Sequence, residues 1–178
     1  MPHAIRPATL ADVSAIARIY AYAVETGTAS FELTAPDETE MARRMIALIE
    51  KDFPYLVLEM DGRVAGYAYA GPYRPRPAYR FTVEDSIYIA PSMQRRGLGR
   101  GLLEALVAVC TDRGFRQMIA VIGDSEQAAS IAVHAAAGFY YVGTFPHVGF
   151  KFGRWLDTVL MQRALGPGST KEPNPPSS

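Results

Sequence analysis

The sequence predicts a single domain that contains both helices and strands, α/β in the broad sense and α+β in the narrower one. In it, helices flank one central mixed sheet. Runs of β-branched and aromatic residues alternate along the chain with runs whose apolar residues recur at helical spacing. The length of 178 residues suits one domain that buries a full hydrophobic core. No internal repeat and no second compositional block interrupts this pattern, so we expect one domain at residues 1–165.

The first predicted elements are a short edge strand and two helices. The strand covers residues 5–7. We expect it at an edge of the sheet, because its terminal proline has no N–H to donate to a neighbouring strand. Thr9 or Asp12 is expected to cap a helix that extends to about Tyr22. Asp37 is expected to cap the second helix after an intervening loop.

The dipeptide Asp61-Gly62 predicts a β-hairpin. It separates two strand-like runs, residues 55–60 and 63–69, and Asp-Gly is a favoured two-residue turn between paired strands. Six further elements are expected: a strand at 83–89, a helix from 102, a strand at 117–122, a helix at 127–137 and two strands near 140–144 and 157–161.

Composition and charge exclude several classes of protein. Basic and acidic residues number 18 each, so no global field favours nucleic acid or an anionic membrane. No apolar run approaches the roughly 20 residues of a membrane-spanning helix, and no signal-type segment opens the chain. The single cysteine, Cys110, excludes an intrachain disulfide and suits a cytoplasmic protein. Residues 166–178 are rich in Pro, Ser and Gly, and we expect a disordered tail there.

The three histidines are scattered, so no zinc-type ligand spacing exists and we expect no metal. Cys110 lies in an apolar helical run, which favours a buried thiol over a nucleophile.

A glycine-rich run at residues 94–101 is the most informative motif. It lies between a predicted strand and a predicted helix, where backbone N–H groups lack helical partners and can bind phosphate oxygens. Gly97 and Gly99 allow close approach of a ligand, and the neighbouring arginines add positive charge. A plain helix-entry turn explains these residues equally well. A dinucleotide-binding unit fits less well, because the full G-x-G-x-x-G after a first strand is missing.

The run Gln94-Arg95-Arg96-Gly97-Leu98-Gly99 resembles the Q/R-x-x-G-x-G/A signature of the GCN5-related N-acetyltransferase (GNAT) superfamily. The resemblance covers about residues 4–165, and the order of the predicted elements is also similar. Further segments resemble the phosphinothricin and methionine sulfoximine acetyltransferase group within that superfamily. These segments are residues 67–72, 82–84, 120–125, 129–134 and 153–157.

The resemblance implies transfer of an acetyl group from acetyl-CoA to a primary amine. It also implies a GNAT fold with a mostly antiparallel mixed sheet. That sheet splays at the strand before the signature run, residues 83–89, which we call the signature strand, and the opening admits the thioester. A backbone N–H of that strand, at Ile89 or a neighbour, is expected to polarise the thioester carbonyl. The residues expected at the cofactor are Ile87, Tyr88, Ile89, Gln94, Arg95, Arg96, Gly97, Leu98, Gly99 and Gln127.

Glu84 and His134 are the candidate catalytic residues. The amine must lose a proton before it attacks, and Glu84 resembles the acidic residue to which the group assigns that step. Without the resemblance, a strand carboxylate paired with an arginine is the simpler explanation. His134 resembles the residue that protonates the leaving thiolate, and its ordinary pKa of about 6.5 suits that task or a share in proton removal. The alternative is a helix C-terminal histidine favoured by the macrodipole.

Substrate recognition is assigned to the loop before the signature strand and to nearby residues. Arg74 and Arg76 can grip an α-carboxylate with two parallel hydrogen bonds, or they are solvated loop charges. Phe31 can wall the side-chain pocket, although core packing also explains it. Thr82 and Val83 precede Glu84 in a segment that resembles the group.

Three positions depart from the group's pattern. Gln127 stands where relatives commonly carry an asparagine that contacts CoA. Ala135 replaces an acidic residue that often follows the histidine, which removes a possible orienting charge. Phe152 replaces a histidine, so the rim of the pocket is expected to differ.

The expected acceptor is the α-amino group of a small amino acid or analogue, such as phosphinothricin, methionine sulfoximine or methionine sulfone, attacked directly in a ternary complex. Two alternatives remain open: an acetyltransferase for a polyamine, aminoglycoside or protein N-terminus, and a non-catalytic acyl-CoA sensor. The resemblance further implies a homodimer, for which aromatic strands near the C-terminus can supply an interface.

Overall fold

The computed structural model describes residues 3–173, and within them seven strands form one sheet flanked by four α-helices. The strands lie in the order β1-β2-β3-β4-β5-β7-β6. In chain order the elements are β1 (His3–Pro7), α1 (Val13–Thr26), α2 (Glu38–Ile49), β2 (Tyr55–Met60), β3 (Arg63–Pro72), β4 (Thr82–Ile89), α3 (Leu98–Asp112), β5 (Gln117–Gly123), α4 (Ala128–Ala136), β6 (Tyr140–Lys151) and β7 (Arg154–Ala164).

Local sequence determines where several elements begin and turn. Pro7 ends β1, and the Asp37 carboxylate caps α2 by accepting a hydrogen bond from the Glu40 N–H at 2.8 Å. Asp61-Gly62 forms the turn between β2 and β3, and both residues have positive φ. The helix α1 extends to Thr26, four residues beyond the predicted end.

The last two strands are longer than predicted. β6 continues past Pro146 to Lys151, because an irregularity between Phe145 and Gly149 absorbs the residues that cannot pair. The turn at 152–153 then leads into β7, with positive φ at both residues. Pro146 therefore lies at an irregularity within β6, whereas the sequence predicted that the strand ends near residue 144, just before it.

The sheet buries a different hydrophobic core on each face. On one face, α3 and α4 pack against alternate residues of β4, including Val83 and Ile87. On the other face, α1 and α2 pack against Tyr67 and Tyr88. We refer to these as the α3–α4 face and the α1–α2 face.

The strands β4 and β5 separate half-way along their length. They pair in parallel from Thr82–Gln117 to Asp85–Ala120, and their register ends there. Every other neighbouring pair in the sheet is antiparallel. The mixed, mostly antiparallel sheet and its splay beside the signature strand are thus confirmed. We call the resulting gap the slot.

The C-terminal residues 166–173 run in turns after β7. The Arg116 guanidinium donates to the carbonyl oxygens of Gly168 (3.1 Å), Lys171 (3.4 Å) and Glu172 (3.0 Å). This part of the predicted tail therefore has defined contacts, which composition alone does not reveal. The remainder of the tail lies outside the described residues. No helix within residues 3–173 is long and apolar enough to cross a membrane.

Candidate active site

A cavity of about 230 Å³ lies at the slot and is lined from both faces of the sheet. Glu84 and Tyr69 line it from the α1–α2 face, and Asp85 and His134 line it from the α3–α4 face. The separation of β4 from β5 therefore gives one cavity two chemically different walls.

Strand alternation explains why adjacent carboxylates serve different walls. Successive side chains of a strand point to opposite faces, so Glu84 shares a face with Tyr88 and Asp85 shares a face with Ile87. This places the predicted base, Glu84, beneath α1 and the loop that follows it.

Glu84 has a perturbed carboxyl group. Burial, followed by the charge of Asp85, raises the pKa of Glu84 to about 6. A carboxylate of that pKa is ionised at neutral pH and has a higher proton affinity than an ordinary glutamate. Its position and its pKa both suit removal of a proton from an ammonium group.

His134 is buried, and both of its ring nitrogens are engaged. Nδ1 lies 2.8 Å from the Ser130 carbonyl oxygen, and Nε2 lies 2.8 Å from Asp85 Oδ2. The Phe139 ring packs edge-on against the imidazole at 5.1 Å. Burial by itself lowers the pKa of His134, but the hydrogen bond and charge of Asp85 outweigh that effect and leave it raised.

Asp85 was absent from the predicted site. Sequence reasoning looked for an orienting charge next to His134 and found Ala135 there, whereas the structure supplies that charge from β4. Strand alternation carried the necessary signal, since it turns the residue after Glu84 toward the helix that bears His134.

Two backbone N–H groups of β4 face the slot. The Ala90 N–H donates to the Ala65 carbonyl of the segment paired with β4, so even-numbered residues of β4 direct their polar groups to β3. The N–H groups of Ile87 and Ile89 therefore point to the opposite edge, where β5 has separated. Tyr88 does not share this arrangement, because its backbone polar groups pair with Tyr67 of β3, while its ring packs against Tyr20 on the α1–α2 face.

The glycine-rich run forms the entry to α3. Gly97 adopts φ 74° and directly precedes Leu98, the first helical residue. Arg95 also has positive φ, and both Arg95 and Arg96 are exposed. The Gln94 side-chain amide donates to the Ile89 carbonyl at 3.3 Å and ties the run to the end of β4. A 15-residue helix with free N-terminal amides beside exposed cations fits a phosphate-bearing cofactor.

Gln127 lines the cavity, and its amide bonds to another part of the protein. It donates to Thr28 Oγ1 at 2.9 Å, and Thr28 donates to Asp124 Oδ2 at 2.9 Å. Arg154 holds the same carboxylate at 2.6 Å. In this arrangement Gln127 anchors the loop that follows α1.

That loop also carries Phe31, which does not line the cavity itself but contacts Gly123, one of the lining residues. The ring lies against Gly123, at the end of β5, and against Gly149 of β6, where a Cβ on either glycine would collide with it. Lys151 Nζ donates to the Ser30 carbonyl at 2.9 Å and fixes the backbone beside Phe31.

The remaining predicted substrate residues do not gather at the cavity. Arg74 and Arg76 are exposed on the loop before β4, and the Arg74 guanidinium lies over the Tyr73 ring at 5.2 Å. Thr82 is half-buried at the start of β4. Val83 is a correction: it is fully buried in the core of the α3–α4 face and is unavailable to a substrate.

Cys110 is buried in α3, and burial raises the pKa of its thiol to about 12. It therefore stays protonated at neutral pH and is a poor nucleophile. Among the described residues no group of His, Cys, Asp and Glu side chains could hold a metal ion.

Comparison with known proteins agrees with this geometry. Residues 5–160 match the acetyltransferase (GNAT) domain family. The chain belongs to the GNAT acetyltransferase family. It is an N-acetyltransferase, and acetyl-CoA is its acetyl donor.

Several relatives of this GNAT chain are similar over nearly its whole length. The phosphinothricin N-acetyltransferase of Alcaligenes faecalis is 56% identical over 162 residues, which cover 91% of this chain and 82% of the relative. The L-methionine sulfoximine/L-methionine sulfone acetyltransferase of Pseudomonas paraeruginosa is 40% identical over 168 residues, covering 94% and 97%.

A solved structure is also similar. The phosphinothricin acetyltransferase of Sinorhizobium meliloti, in complex with AcCoA, superposes with a TM-score of 0.94 at 47% identity. The match covers 98% of this chain and 94% of that one.

Proposed function

We propose that this GNAT enzyme acetylates the α-amino group of a small amino acid or analogue of the phosphinothricin, methionine sulfoximine or methionine sulfone type. The observation that carries the proposal is the pair of proton-transfer groups on opposite walls of one slot. Glu84 lies on one wall with a pKa of about 6, and His134 lies on the other. The named activities of the relatives support the acceptor class.

The proposed reaction begins at Glu84. The carboxylate takes a proton from the substrate ammonium group, because an ammonium nitrogen has no lone pair with which to attack. The freed amine attacks the thioester carbonyl carbon, and the N–H groups of Ile87 and Ile89 are placed to donate to the carbonyl oxygen as negative charge develops there.

The leaving sulfur is assigned to the opposite wall. As the carbon–sulfur bond breaks, sulfur keeps the electron pair and accepts a proton from His134. The nitrogen, positively charged after its attack, releases its second proton to solvent water and becomes the neutral amide. Direct attack in a ternary complex accounts for both transfers. The buried thiol of Cys110 offers no acyl-enzyme route.

For the cofactor, we propose that the amides of residues 95–99 hold the pyrophosphate at the start of α3. Gln94 supports that run, and Ile87 and Ile89 line the path toward the slot. Gln127 acts here through the loop after α1, which it holds by Thr28.

For the acceptor, we propose that Arg74 or Arg76 pairs with the α-carboxylate and that Phe31 bounds the side-chain pocket. Both arginines lie on the loop that leads into the strand bearing Glu84, and Thr82 lies between that loop and Glu84 as the first residue of β4. A bidentate guanidinium at that position would orient the α-amino group toward the base.

We further propose a cytoplasmic homodimer. Five aromatic residues of β6 and β7, the two strands at one edge of the sheet, each expose more than half of their surface, and we refer to them together as the aromatic band. These are Tyr140, Tyr141, Phe145, Phe150 and Trp155. An exposed apolar band of this kind marks a protein interface. An unpaired buried thiol at Cys110 suits a reducing compartment.

An amine panel tests the proposed function. Thiol release from acetyl-CoA is measured with phosphinothricin, methionine sulfoximine, methionine sulfone, the common amino acids, polyamines, aminoglycosides and peptides with a free N-terminus. We expect kcat/KM for the best amino-acid analogue to exceed that of any polyamine by at least about 100-fold, because only the former offers a carboxylate to the loop arginines.

Two outcomes oppose the proposal. Turnover confined to polyamines, aminoglycosides or peptides would replace the acceptor class. No turnover with any amine, together with a melting temperature raised by acetyl-CoA, would favour the acyl-CoA sensor.

A further inference from the structure

The contact between Asp85 and His134 extends the proposed function. We propose that Asp85 is a positioning residue, which with His134 holds one shared proton in the wall of the slot for delivery to the leaving sulfur. The inference rests on acetyl transfer at this slot and adds a residue that the proposed mechanism does not yet contain.

Hydrogen-bond partners determine the tautomer of His134. The Ser130 carbonyl oxygen can only accept, so Nδ1 at 2.8 Å must carry a hydrogen. Nε2 and Asp85 Oδ2 are also 2.8 Å apart, and two bare acceptors at that distance would repel. A proton therefore lies between them, held either as imidazolium and carboxylate or as imidazole and carboxylic acid.

Burial makes this contact strong. The side chains of His134 and Asp85 are exposed by only 3% and 1%. A charge-assisted hydrogen bond gains strength where water is excluded, and breaking it would leave a buried charge without a partner. Asp85 Oδ1 has no hydrogen-bond partner among the described residues, so the carboxylate depends on His134 to stabilise its charge.

Other titratable groups near the pair do not replace Asp85. Glu84 points to the opposite face of the same strand. Cys110 approaches Asp85 from α3 as a neutral thiol. Arg163 approaches from β7, and its guanidinium donates to the Ala137 carbonyl at the end of α4. Within residues 3–173, Asp85 is the carboxylate that contacts the imidazole.

The proton balance explains why the pair suits a leaving thiolate. When the carbon–sulfur bond breaks, sulfur keeps the electron pair and takes the shared proton. Nε2 and the Asp85 carboxylate then face each other as two acceptors, and their repulsion draws a replacement proton from solvent water. Without Asp85, the imidazole would be largely unprotonated at neutral pH, because its ordinary pKa is about 6.5.

NMR titration of the His134 ring nitrogens tests the shared proton in the protein without substrate. We expect His134 of the wild type to titrate above the ordinary value and to fall by about one pH unit or more in Asp85→Asn. Titration of the wild-type ring at or below the ordinary value would overturn the inference, even if the variant failed to fold.

Kinetics test the role in the reaction. In Asp85→Asn we expect kcat to fall about 10- to 100-fold and its alkaline limb to move to lower pH, with KM for acetyl-CoA within about 2-fold. Asp112→Asn makes the same chemical change on an exposed carboxylate at the end of α3. This control variant should leave kcat, the alkaline limb of kcat and KM for acetyl-CoA unchanged. The double variant Asp85→Asn/His134→Asn should be no slower than His134→Asn, because residues of one unit are not additive.

Failures of the two proposals are distinguishable. A wild-type protein that turns over no amine removes the proposed function, and the titration still reports whether the proton is shared. A shifted titration with unchanged kcat in Asp85→Asn shows that the pair is real and that it has no part in acetyl transfer.

Discussion

Glu84 and Asp85 differ by one position and by the direction of their side chains. Glu84 has little to offset its burial, so the pKa of its carboxyl group rises to about 6. Asp85 has an imidazole at 2.8 Å, and its charge contributes to a raised pKa at His134. Two carboxylates of similar chemistry thus have separate environments, and separate proposed tasks, because the pleat of β4 sends them to different walls.

At this scale we predict that Glu84→Gln lowers kcat by about 100-fold or more while the affinity for acetyl-CoA stays unchanged. Wild-type kcat/KM should fall as pH drops below about 6, since the carboxyl group is then protonated, and the variant should lose this limb. Glu126→Gln, on an exposed carboxylate, is the control. A wild-type rate that stays constant from neutral pH to pH 5, well below that pKa, would remove Glu84 as the base.

The same variant should be more stable than the wild type at neutral pH. A folded-state pKa raised above the ordinary value means that ionisation of Glu84 opposes folding, by on the order of 1–2 kcal/mol once solvent screening is considered. The difference should be complete above about pH 6 and vanish below the ordinary carboxyl pKa. Thermal unfolding across pH measures it.

The proposed pyrophosphate site depends on a whole element, because it is formed by the entry to α3. Gly97 holds a left-handed conformation just before the helix, which leaves the first amides of α3 free and exposed. Gly101 lies one turn further in the same helix, where its conformation is ordinary and nothing lies near its Cα hydrogens. Substituting alanine at each position therefore distinguishes two effects. Only at Gly97 does the added methyl group conflict with a positive φ, whereas both positions have room for it.

We predict opposite effects for the two substitutions in α3. Gly97→Ala should lower the free energy of unfolding by about 1–2 kcal/mol and weaken acetyl-CoA binding about 10-fold or more. Gly101→Ala should raise the free energy of unfolding by up to about 1 kcal/mol, because alanine has a higher helix propensity than glycine. The affinity for acetyl-CoA should not change. Calorimetric titration and denaturant unfolding measure both. Equal acetyl-CoA affinity in the two variants would refute the proposed pyrophosphate seat.

At the scale of the whole molecule, packing within one chain does not account for the aromatic band of β6 and β7, because these side chains are largely exposed. Phe150 and Trp155 pair across the two strands with ring centroids 5.2 Å apart, and both are largely exposed. β6 is also one of the two edge strands of the sheet. Proteins rarely leave such an edge open to water, so a second copy is the proposed cover.

We predict that Trp155→Asp converts a dimer into a monomer, because a carboxylate cannot be buried in an apolar interface without a partner. Leu10→Asp places the same group on an exposed apolar position before α1 and should keep the dimer. Light scattering coupled to size exclusion measures the mass. A wild-type monomer at micromolar concentration would show that the band has another purpose.

Local sequence was sufficient wherever a structural feature depends on neighbours along the chain. Asp37 predicts its helix cap and Asp61-Gly62 predicts its hairpin, because caps and tight turns are made by residues a few positions apart. The run 94–99 predicts a turn that enters a helix for the same reason, although α3 begins at Leu98, four residues before the predicted start at residue 102. Resemblance to a known family is confirmed for the family itself, and it also indicated Glu84 and His134, whose catalytic roles stay a prediction.

Only the tertiary structure decided which residues meet across the sheet. Asp85 and His134 are 49 positions apart and meet because β4 and β5 pair in parallel and then separate. The same packing buries Val83 and turns Gln127 toward Thr28. The sequence by itself determined the elements, the family and the cofactor motif, whereas the partners of each side chain required the fold, because long-range contacts leave no periodic or local pattern in the chain.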